Sequence, residues 1–380
     1  MKVARAIAKM LKREGVDFII GYPVNPIIEA CAEEDIRTII VRQERIGLHM
    51  CDAVSRTTSA DKIGVFTMQH GPGTENAFGG VAQSFGDSVP IVVLPAGYAR
   101  SLTNVAPNFS ALLNFQAVTK SLEQVTAPEE APNAVRRAFT QARNGRPGPC
   151  MVEFPTDVLA AELSGTLQYA PSLQAKSAPD PSAVKEAAEV LVKAKKPVLY
   201  AGQGVHYAKA WPELRKLAEL LEAPTTTSLE GKSAFPETHP LSLQSGGRTI
   251  SKELHTHLQE ADVILGVGAS FSTTNFGIAW GKYLGKATVI QSTVDTLDLN
   301  KDQAIDHALI GDSKLVLAAL IKEVRRLIKK PRGRAQRVGR RIAKLHAEWI
   351  DEWRDKLECA TAPINPYRVV WDLMRTVDPK

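Results

Sequence analysis

The sequence predicts an α/β protein: two doubly wound parallel-sheet domains joined by a linker and followed by a helical tail. Three observations predict it. Short, uniformly apolar runs alternate with helix-spaced segments from about residue 17 to residue 158, and unbroken apolarity marks strands buried on both faces. The alternation stops over 163–182, a stretch rich in Ser, Ala, Pro and Gln, and then resumes to about residue 330, which is how a linker between two folded units reads. Beyond 335 only helical spacing remains, heavily charged. With 380 residues, 44% of them hydrophobic, the chain can bury two or three cores. The expected boundaries are 1–162, 163–182, 183–330, 331–363 and 364–380.

Taken in order, the chain opens with an amphipathic helix over 2–13, with Val3, Ile7 and Leu11 on one face, stopped by Gly15. Asp17–Ile20 reads as a strand and Gly21–Pro26 as the loop after it. Thr38–Val41 is a second apolar run, followed by Arg42-Gln43-Glu44 and a helix over 46–54. A glutamate at this junction projects from the carboxyl edge of a parallel sheet, where ligands bind. It could equally be an acid favoured by the helix dipole. Lys62–Met68 is the next strand. Gln69-His70-Gly71-Pro72-Gly73-Thr74-Glu75-Asn76 follows it, and a Gly-Pro-Gly turn between strand and helix lets backbone approach a ligand closely. After a small-residue helix come Asp87-Ser88-Val89-Pro90, the strand Ile91–Leu94 and Pro95-Ala96-Gly97. Gly145-Arg146-Pro147-Gly148-Pro149 leads into the last strand of the first domain.

In the second domain, 197–200, 261–268 and 287–290 read as strands. Gly202-Gln203-Gly204 has the start of a dinucleotide signature, but Tyr207 and Ala208 stand where its third glycine is sought. Gly231-Lys232-Ser233 is not a phosphate-binding loop, because Thr226 occupies the position of the required glycine. Residues 335–358 read as a linker helix with solvated charges, and Asn365–Met374 as a further helix.

Composition narrows the function classes. Between Lys322 and Lys344 lie eleven Lys or Arg and the single acid Glu323, a local charge of +10 against +6 for the whole chain; the remainder is therefore −4. The basicity belongs to one segment and not to a nucleic-acid-binding face, and no aromatic platform interleaves it. No apolar stretch reaches the ~20 residues that span a bilayer. The N-terminus lacks the pattern of a signal peptide. Cys31, Cys51, Cys150 and Cys359 are widely separated, as in a cytoplasmic protein with reduced thiols.

The order strand, Arg-x-Glu, helix, strand, Gly-Pro-Gly-x-x-Asn, helix, Asp-Ser-x-Pro, strand resembles the thiamine-diphosphate enzymes of the acetolactate synthase type. Gly145–Pro149 with Met151–Val158 resembles the close of that family's pyrimidine-binding domain. Gly231–Pro236, His239-Pro240-Leu241 and Asp295 resemble its central domain, and Asn365–Met374 the first helix of its diphosphate-binding domain. The resemblance implies thiamine diphosphate as cofactor and 2-oxo acids as substrates, by decarboxylation, carboligation or both. It implies that Glu44 is the acid at N1′ of the cofactor's pyrimidine. Gly71, Pro72 and Gly73 would lie against that ring, and Asn76 would orient the turn or contact the cofactor, unless it only bonds the helix N-terminus. Gln69 and His70 would face the substrate, unless His70 is a structural donor. Asn108 and Phe109 fall in the loop where carboligases place substrate-facing residues. Val24 and Glu75 depart from the family, standing where glycine and a small residue are common. The central domain would hold FAD, ADP or no nucleotide.

The resemblance also implies Mg2+, bound by a Gly-Asp-Gly motif and an Asn-Asn pair that neutralise the diphosphate. This sequence contains no Gly-Asp-Gly; Gly311-Asp312-Ser313 belongs to the end of the central domain. No metal ligand is therefore expected on this chain. It is expected to be a fragment, a truncated product or half of a split enzyme, inactive alone and working as a homo-oligomer or with a chain that carries the diphosphate-binding domain. The alternative is a non-catalytic remnant or subunit that pairs with full-length partners or binds a nucleotide.

Overall fold

The computed structural model describes residues 1–272, 277–328, 330 and 332–378. Pro331, the expected start of the basic helical segment, lies outside them. The chain divides into two compact units, Met1–Lys176 and Ser177–Lys380.

The first unit runs α1 (Val3–Arg13), β1 (Phe18–Gly21), α2 (Pro26–Glu33), β2 (Arg37–Ile40), α3 (Glu44–Thr57), β3 (Gly64–Met68), α4 (Pro72–Gly86), β4 (Ile91–Gly97), α5 (Ala111–Phe115), β5 (Ser121–Gln124), α6 (Ala131–Arg143), β6 (Cys150–Pro155) and α7 (Thr156–Ala160). Its six strands are parallel in the order β2-β1-β3-β4-β6-β5. All of β3, β4 and β6 is buried, because helices cover both faces. On one face Ile19, Val92, Leu94, Val152 and Phe154 pack with α1, α2, α6 and α7. On the other Ile20, Phe66, Met68, Val93 and Met151 pack with α3, α4 and α5. Glycine permits the closest approaches: a β-carbon on Gly80 of α4 would lie 2.6 Å from Leu48 Cβ of α3.

The sequence motifs divide between the two edges of this sheet. Glu44 and the Gly-Pro-Gly turn lie at the carboxyl edge. Asp87-Ser88 and Gly145–Pro149 precede β4 and β6 and so lie at the amino edge, where they act as clasps. Arg56 at the end of α3 bonds Asp52 (2.8 Å) and Asp87 (2.8 Å), and Arg146 donates to Ser88 Oγ at 2.9 Å. This network ties the end of α3 to the end of α4.

Residues 163–176 are not a free linker. Leu163 and Leu167 are buried with α1 and α6. The buried Glu14 carboxylate accepts from Tyr169 Oη (2.6 Å), Ser172 N (2.8 Å) and Ser172 Oγ (2.9 Å), and pairs with Arg143. Such a charge is tolerated in a core only when it is satisfied in this way, so the strap and Glu14 require each other.

The second unit runs α8 (Pro181–Lys193), β7 (Pro197–Ala201), α9 (Gly204–Tyr207), α10 (Trp211–Leu221), β8 (Thr225–Thr227), β9 (Ser242–Ser245), α11 (Lys252–Glu260), β10 (Val263–Val267), β11 (Thr288–Thr293), β12 (His307–Ile310), α12 (Ser313–Leu327), α13 (Ala335–Leu357) and α14 (Pro366–Thr376). Its parallel sheet has the order β12-β11-β10-β7-β8-β9. Here α8, α10 and α12 cover one face. On the other, α11 and Ile342 of α13 pack with Tyr200, Phe271 and Trp280.

The charges of the helix over 335–357 are mostly exposed, as expected, but one side of it docks on α11. Ile342 is buried, His346 Nδ1 lies 2.9 Å from Glu253 Oε1, and Arg341 grips Glu260 through two bonds of 2.6 and 2.8 Å. Two further basic residues cap helices: Arg332 donates to the Val192 and Ala194 carbonyls, and Arg334 to those of Lys195 (2.7 Å) and Leu221 (2.8 Å). Part of the basic segment is thus spent on the C-terminal carbonyls of α8 and α10. By contrast, Val370, Leu373, Met374 and Val377 of the last segment are 55–71% exposed. Among the described residues no helix is long and apolar enough to cross a membrane.

Candidate functional site

In the first sheet the chain starts at β1, steps outward to β2, then crosses back to β3 on the other side of β1. The crevice at the carboxyl ends beside β1 and β3 is the topological switch point, where open α/β sheets take their ligands. Asn25 builds its floor. Its side chain caps α2 by accepting from Ile27 N at 2.9 Å, and donates to the carbonyls of Met68 at the end of β3 (2.9 Å) and Leu94 within β4 (3.3 Å). One buried amide thus ties the start of α2 to two strands. Asn25-Pro26 after an apolar run is an N-cap with proline at the first helical position, a legible helix start whose second role only the fold reveals.

Glu44 opens α3 on this edge. It is 3% exposed, and among the described residues its carboxylate has no hydrogen-bond partner. Its oxygens are not among the sealed side-chain atoms that lack a partner, so the carboxylate opens onto the crevice. The helix N-terminus beside it favours a negative charge there. Opposite lies the turn. Gly71 has φ +60° and precedes Pro72, the first residue of α4. A β-carbon on Gly73 would lie 3.1 Å from Glu44 Oε1 and 2.7 Å from Gln69 Cγ. Glycine therefore leaves space in front of the carboxylate, and Glu44, Gln69, Gly71 and Gly73 come together.

His70 joins them through a residue that the sequence reading does not single out. Tyr98, just after β4, meets the His70 ring edge-on with centroids 4.6 Å apart, and its hydroxyl lies 2.5 Å from where a β-carbon of Gly71 would stand. Pro72 is exposed. Asn76 is exposed on α4, whose N-cap is Gly71, so Asn76 is not that helix's cap. Asn108 and Phe109 are engaged within their own loop: Asn108 Nδ2 donates to the Leu102 carbonyl at 3.0 Å, and the Phe109 and Phe115 rings meet edge-on at 6.4 Å. Among the described residues no group of three or more His, Cys, Asp or Glu is arranged to hold a metal ion. Cys31, Cys51 and Cys150 are buried, and burial pushes the Cys31 thiol up to about 12; they pack as small hydrophobes and are not nucleophiles.

The switch point of the second unit lies between β7 and β10. Its glycines face one another. Gly204 N donates to the Gly268 carbonyl at 2.9 Å, and a β-carbon on Gly204 would lie 2.7 Å from Gly268 Cα. One on Gly202 would lie 2.6 Å from Ala269 Cα.

Comparison with known proteins agrees with this architecture. Residues 1–125 match the family described as thiamine pyrophosphate enzyme, N-terminal TPP binding domain, and residues 184–320 match the thiamine pyrophosphate enzyme central domain. A probable acetolactate synthase large subunit of Methanocaldococcus jannaschii is 33% identical over 392 residues, covering 100% of this chain and 64% of that protein. Its counterpart in Methanococcus aeolicus is 30% identical over 396 residues, covering 100% and 65%. The acetolactate synthase isozyme 3 large subunit of Escherichia coli is 31% identical over 332 residues, covering 84% and 57%. The chain thus spans less than two thirds of the length of each of these relatives.

Proposed function

This chain belongs to the thiamine pyrophosphate enzyme family, and from that premise we propose that it is the pyrimidine-binding and central portion of an acetolactate-synthase-like enzyme acting on 2-oxo acids. The observation that carries the proposal is the buried Glu44 carboxylate with the β-carbon-free Gly73 3.1 Å in front of it. The residues fit the pyrimidine end of thiamine diphosphate on two counts: a carboxylate that opens onto the crevice where a ring nitrogen needs a proton, and a glycine cradle that a side chain would fill. When bound, the cofactor supplies a carbon nucleophile for the substrate's 2-oxo group, chemistry that no side chain provides.

The chain's own residues have four tasks in this reading. Glu44 holds and exchanges a proton at the pyrimidine N1′. The Gly71-Pro72-Gly73 backbone orients the ring against it. Gln69 and His70, at the end of β3, face the substrate's carbonyl or carboxylate. Asn76, on the outward face of α4, meets cofactor or substrate only if the site is completed from outside this unit.

We assign Mg2+ and the diphosphate to a domain outside these 380 residues, supplied by a continuation of the chain or by a partner. The exposed apolar row of α14 supports this, since rows of that size seek cover. Assembly with a second copy or a partner is supported by the outer face of α3 and α4, where Ile46 is 50% and Phe78 40% exposed. FAD gains no support from Gly202-Gln203-Gly204, because that glycine spacing is already used by the crossing with Gly268.

Calorimetry tests the reading. The 380-residue chain alone should bind thiamine diphosphate at about millimolar Kd, roughly −4 kcal/mol, with no gain from magnesium and no turnover of pyruvate. A chain carrying the diphosphate-binding domain should restore both. Tight magnesium-dependent binding by the isolated chain would overturn the proposal. Assembly with the partner but no turnover would favour a non-catalytic subunit.

A further inference from the structure

Four neighbouring strands of the first sheet end in groups that touch one another in a row. Gln124, the last residue of β5, donates from Nε2 to Glu153 Oε2 at 2.6 Å. Glu153, on β6, is buried and belongs to none of the roles assigned above. Its carboxyl fills the space over Gly97 at the end of β4: a β-carbon there would lie 2.9 Å from Glu153 Cγ and 3.0 Å from Cδ. The next residue is Tyr98, whose hydroxyl abuts Gly71 and whose ring abuts His70 at the end of β3.

We propose that Glu153 is a positioning residue, which acts through Gly97 to set Tyr98 against the Gly71-Pro72-Gly73 turn and is itself held by Gln124. The proposal rests on reading that turn as the pyrimidine cradle. An apolar side chain at 153 would take away the acceptor of the half-buried Gln124 amide. Any side chain at 97 would push the carboxyl away. The two residues therefore specify each other, and the backbone they specify is the one that carries Tyr98.

Burial pushes the Glu153 carboxyl up, and the Gln124 bond offsets only part of that. The charged groups on the neighbouring elements are already paired: Glu123 of β5 with Arg137 of α6, and Asp157 of α7 with Arg100 after β4. The sign follows. A carboxyl whose folded value lies above its unfolded one costs the fold nothing below the unfolded value, and costs progressively more as pH rises through the folded one.

The test uses the full chain with 13C-labelled histidine and tyrosine rings, read by NMR at one fixed pH beside urea unfolding. Glu153→Gln keeps the length and an acceptor for Gln124 while removing the charge. It should leave the His70 and Tyr98 ring signals in place and raise the urea midpoint at pH 8. Glu153→Ala should move both ring signals and leave the histidines of the second unit unmoved. In the assembled enzyme it should lower kcat by about tenfold, with Glu153→Gln restoring most of it, a loss within the range a small misplacement causes. If Glu153→Ala does not fold, Gln124→Leu frees the carboxyl without opening a cavity and should move the same two signals less. Unmoved Tyr98 and His70 signals in a folded Glu153→Ala or Gln124→Leu chain would overturn the proposal, whatever the activity. Moved signals with unchanged cofactor affinity in the assembled enzyme would uphold the positioning and tell against the pyrimidine reading instead.

Discussion

The two sheets place glycine at the same point and use it differently. In each, consecutive strands run outward from a first strand and then cross back, leaving a crevice at the carboxyl ends of two adjacent strands. In the first unit, the glycine turn beyond β3 faces a carboxylate across open space. In the second, the glycines beyond β7 and β10 face one another, bonded Gly204 N to Gly268 O at 2.9 Å. A glycine between strand and helix states only that something comes close. What comes close is decided by the residue across the crevice, Glu44 in one unit and Gly268 in the other.

The largest effect that would break this contrast is on chemistry. Glu44→Gln, assembled with a diphosphate-binding domain, should slow proton exchange at the cofactor's C2 by ~10²–10⁴-fold, with the urea midpoint unchanged. Exchange at the parent rate would remove the first crevice's claim to catalysis.

Glycine substitutions come next. Gly268→Ala should cost about 2–4 kcal/mol, since it adds a β-carbon against backbone at a residue with φ +54°. It should leave cofactor affinity in the assembled enzyme unchanged. Gly73→Ala should cost less, about 1 kcal/mol of stability, because the atoms it meets, Gln69 Cγ and Glu44 Oε1, belong to side chains and not to backbone. It should nonetheless weaken thiamine diphosphate binding. Equal stability losses in urea unfolding would erase the difference between the two crevices.

The smallest effect is a contrast in pH response between two buried acids. At Glu14 burial pushes the carboxyl up, but Tyr169, Ser172 and Arg143 outweigh it and the net shift is downward. Its stabilisation is present above the ordinary carboxylate value and is lost as pH falls through the lower folded one. At Glu253 burial is likewise outweighed, chiefly by His346, and the Glu253 bond raises His346. The histidine's share is complete below its unfolded value near 6.5 and is lost as pH rises through the folded one. The protection of the α13 amides should therefore fall between pH 6 and pH 8, while that of Leu163 N and Ser172 N, bonded to Met1 O and Glu14, stays the same. Equal protection of α13 at the two pH values would mean that the Glu253–His346 bond does not hold that helix down.

Strands buried on both faces were legible because they are unbroken apolar runs: β3, β4, β10 and β11 all read directly. The edge strand β9 and its neighbour β8 were not. Thr225–Thr227 is polar yet fully buried, its hydroxyls answered by the Gln244 carbonyl (2.8 Å) and Ser245 Oγ (2.9 Å). Such pairings are set by the register of a neighbouring strand, so composition alone does not mark these segments as strands. The site shows the same limit. Glu44 and Gly73 could be found because each sits in a local strand-to-helix junction. Tyr98 and Glu153 could not, because each gains its meaning from a strand far away in sequence. The docking of α13 was missed for a related reason. Its acids Glu253 and Glu260 lie on α11, some eighty to ninety residues earlier.

The strap over 163–176 also bears on how such chains can be inherited. A recombination joint at residue 162, just after α7, would carry Glu14 into the new gene product without Tyr169 and Ser172, leaving a buried carboxylate with Arg143 as its remaining partner. It would also bare the pockets of Leu163 and Leu167. A joint after Lys176 cuts none of these bonds. Ancestral shuffling of this module should therefore have broken at the later point, and laboratory chimaeras joined there should be the ones recovered folded.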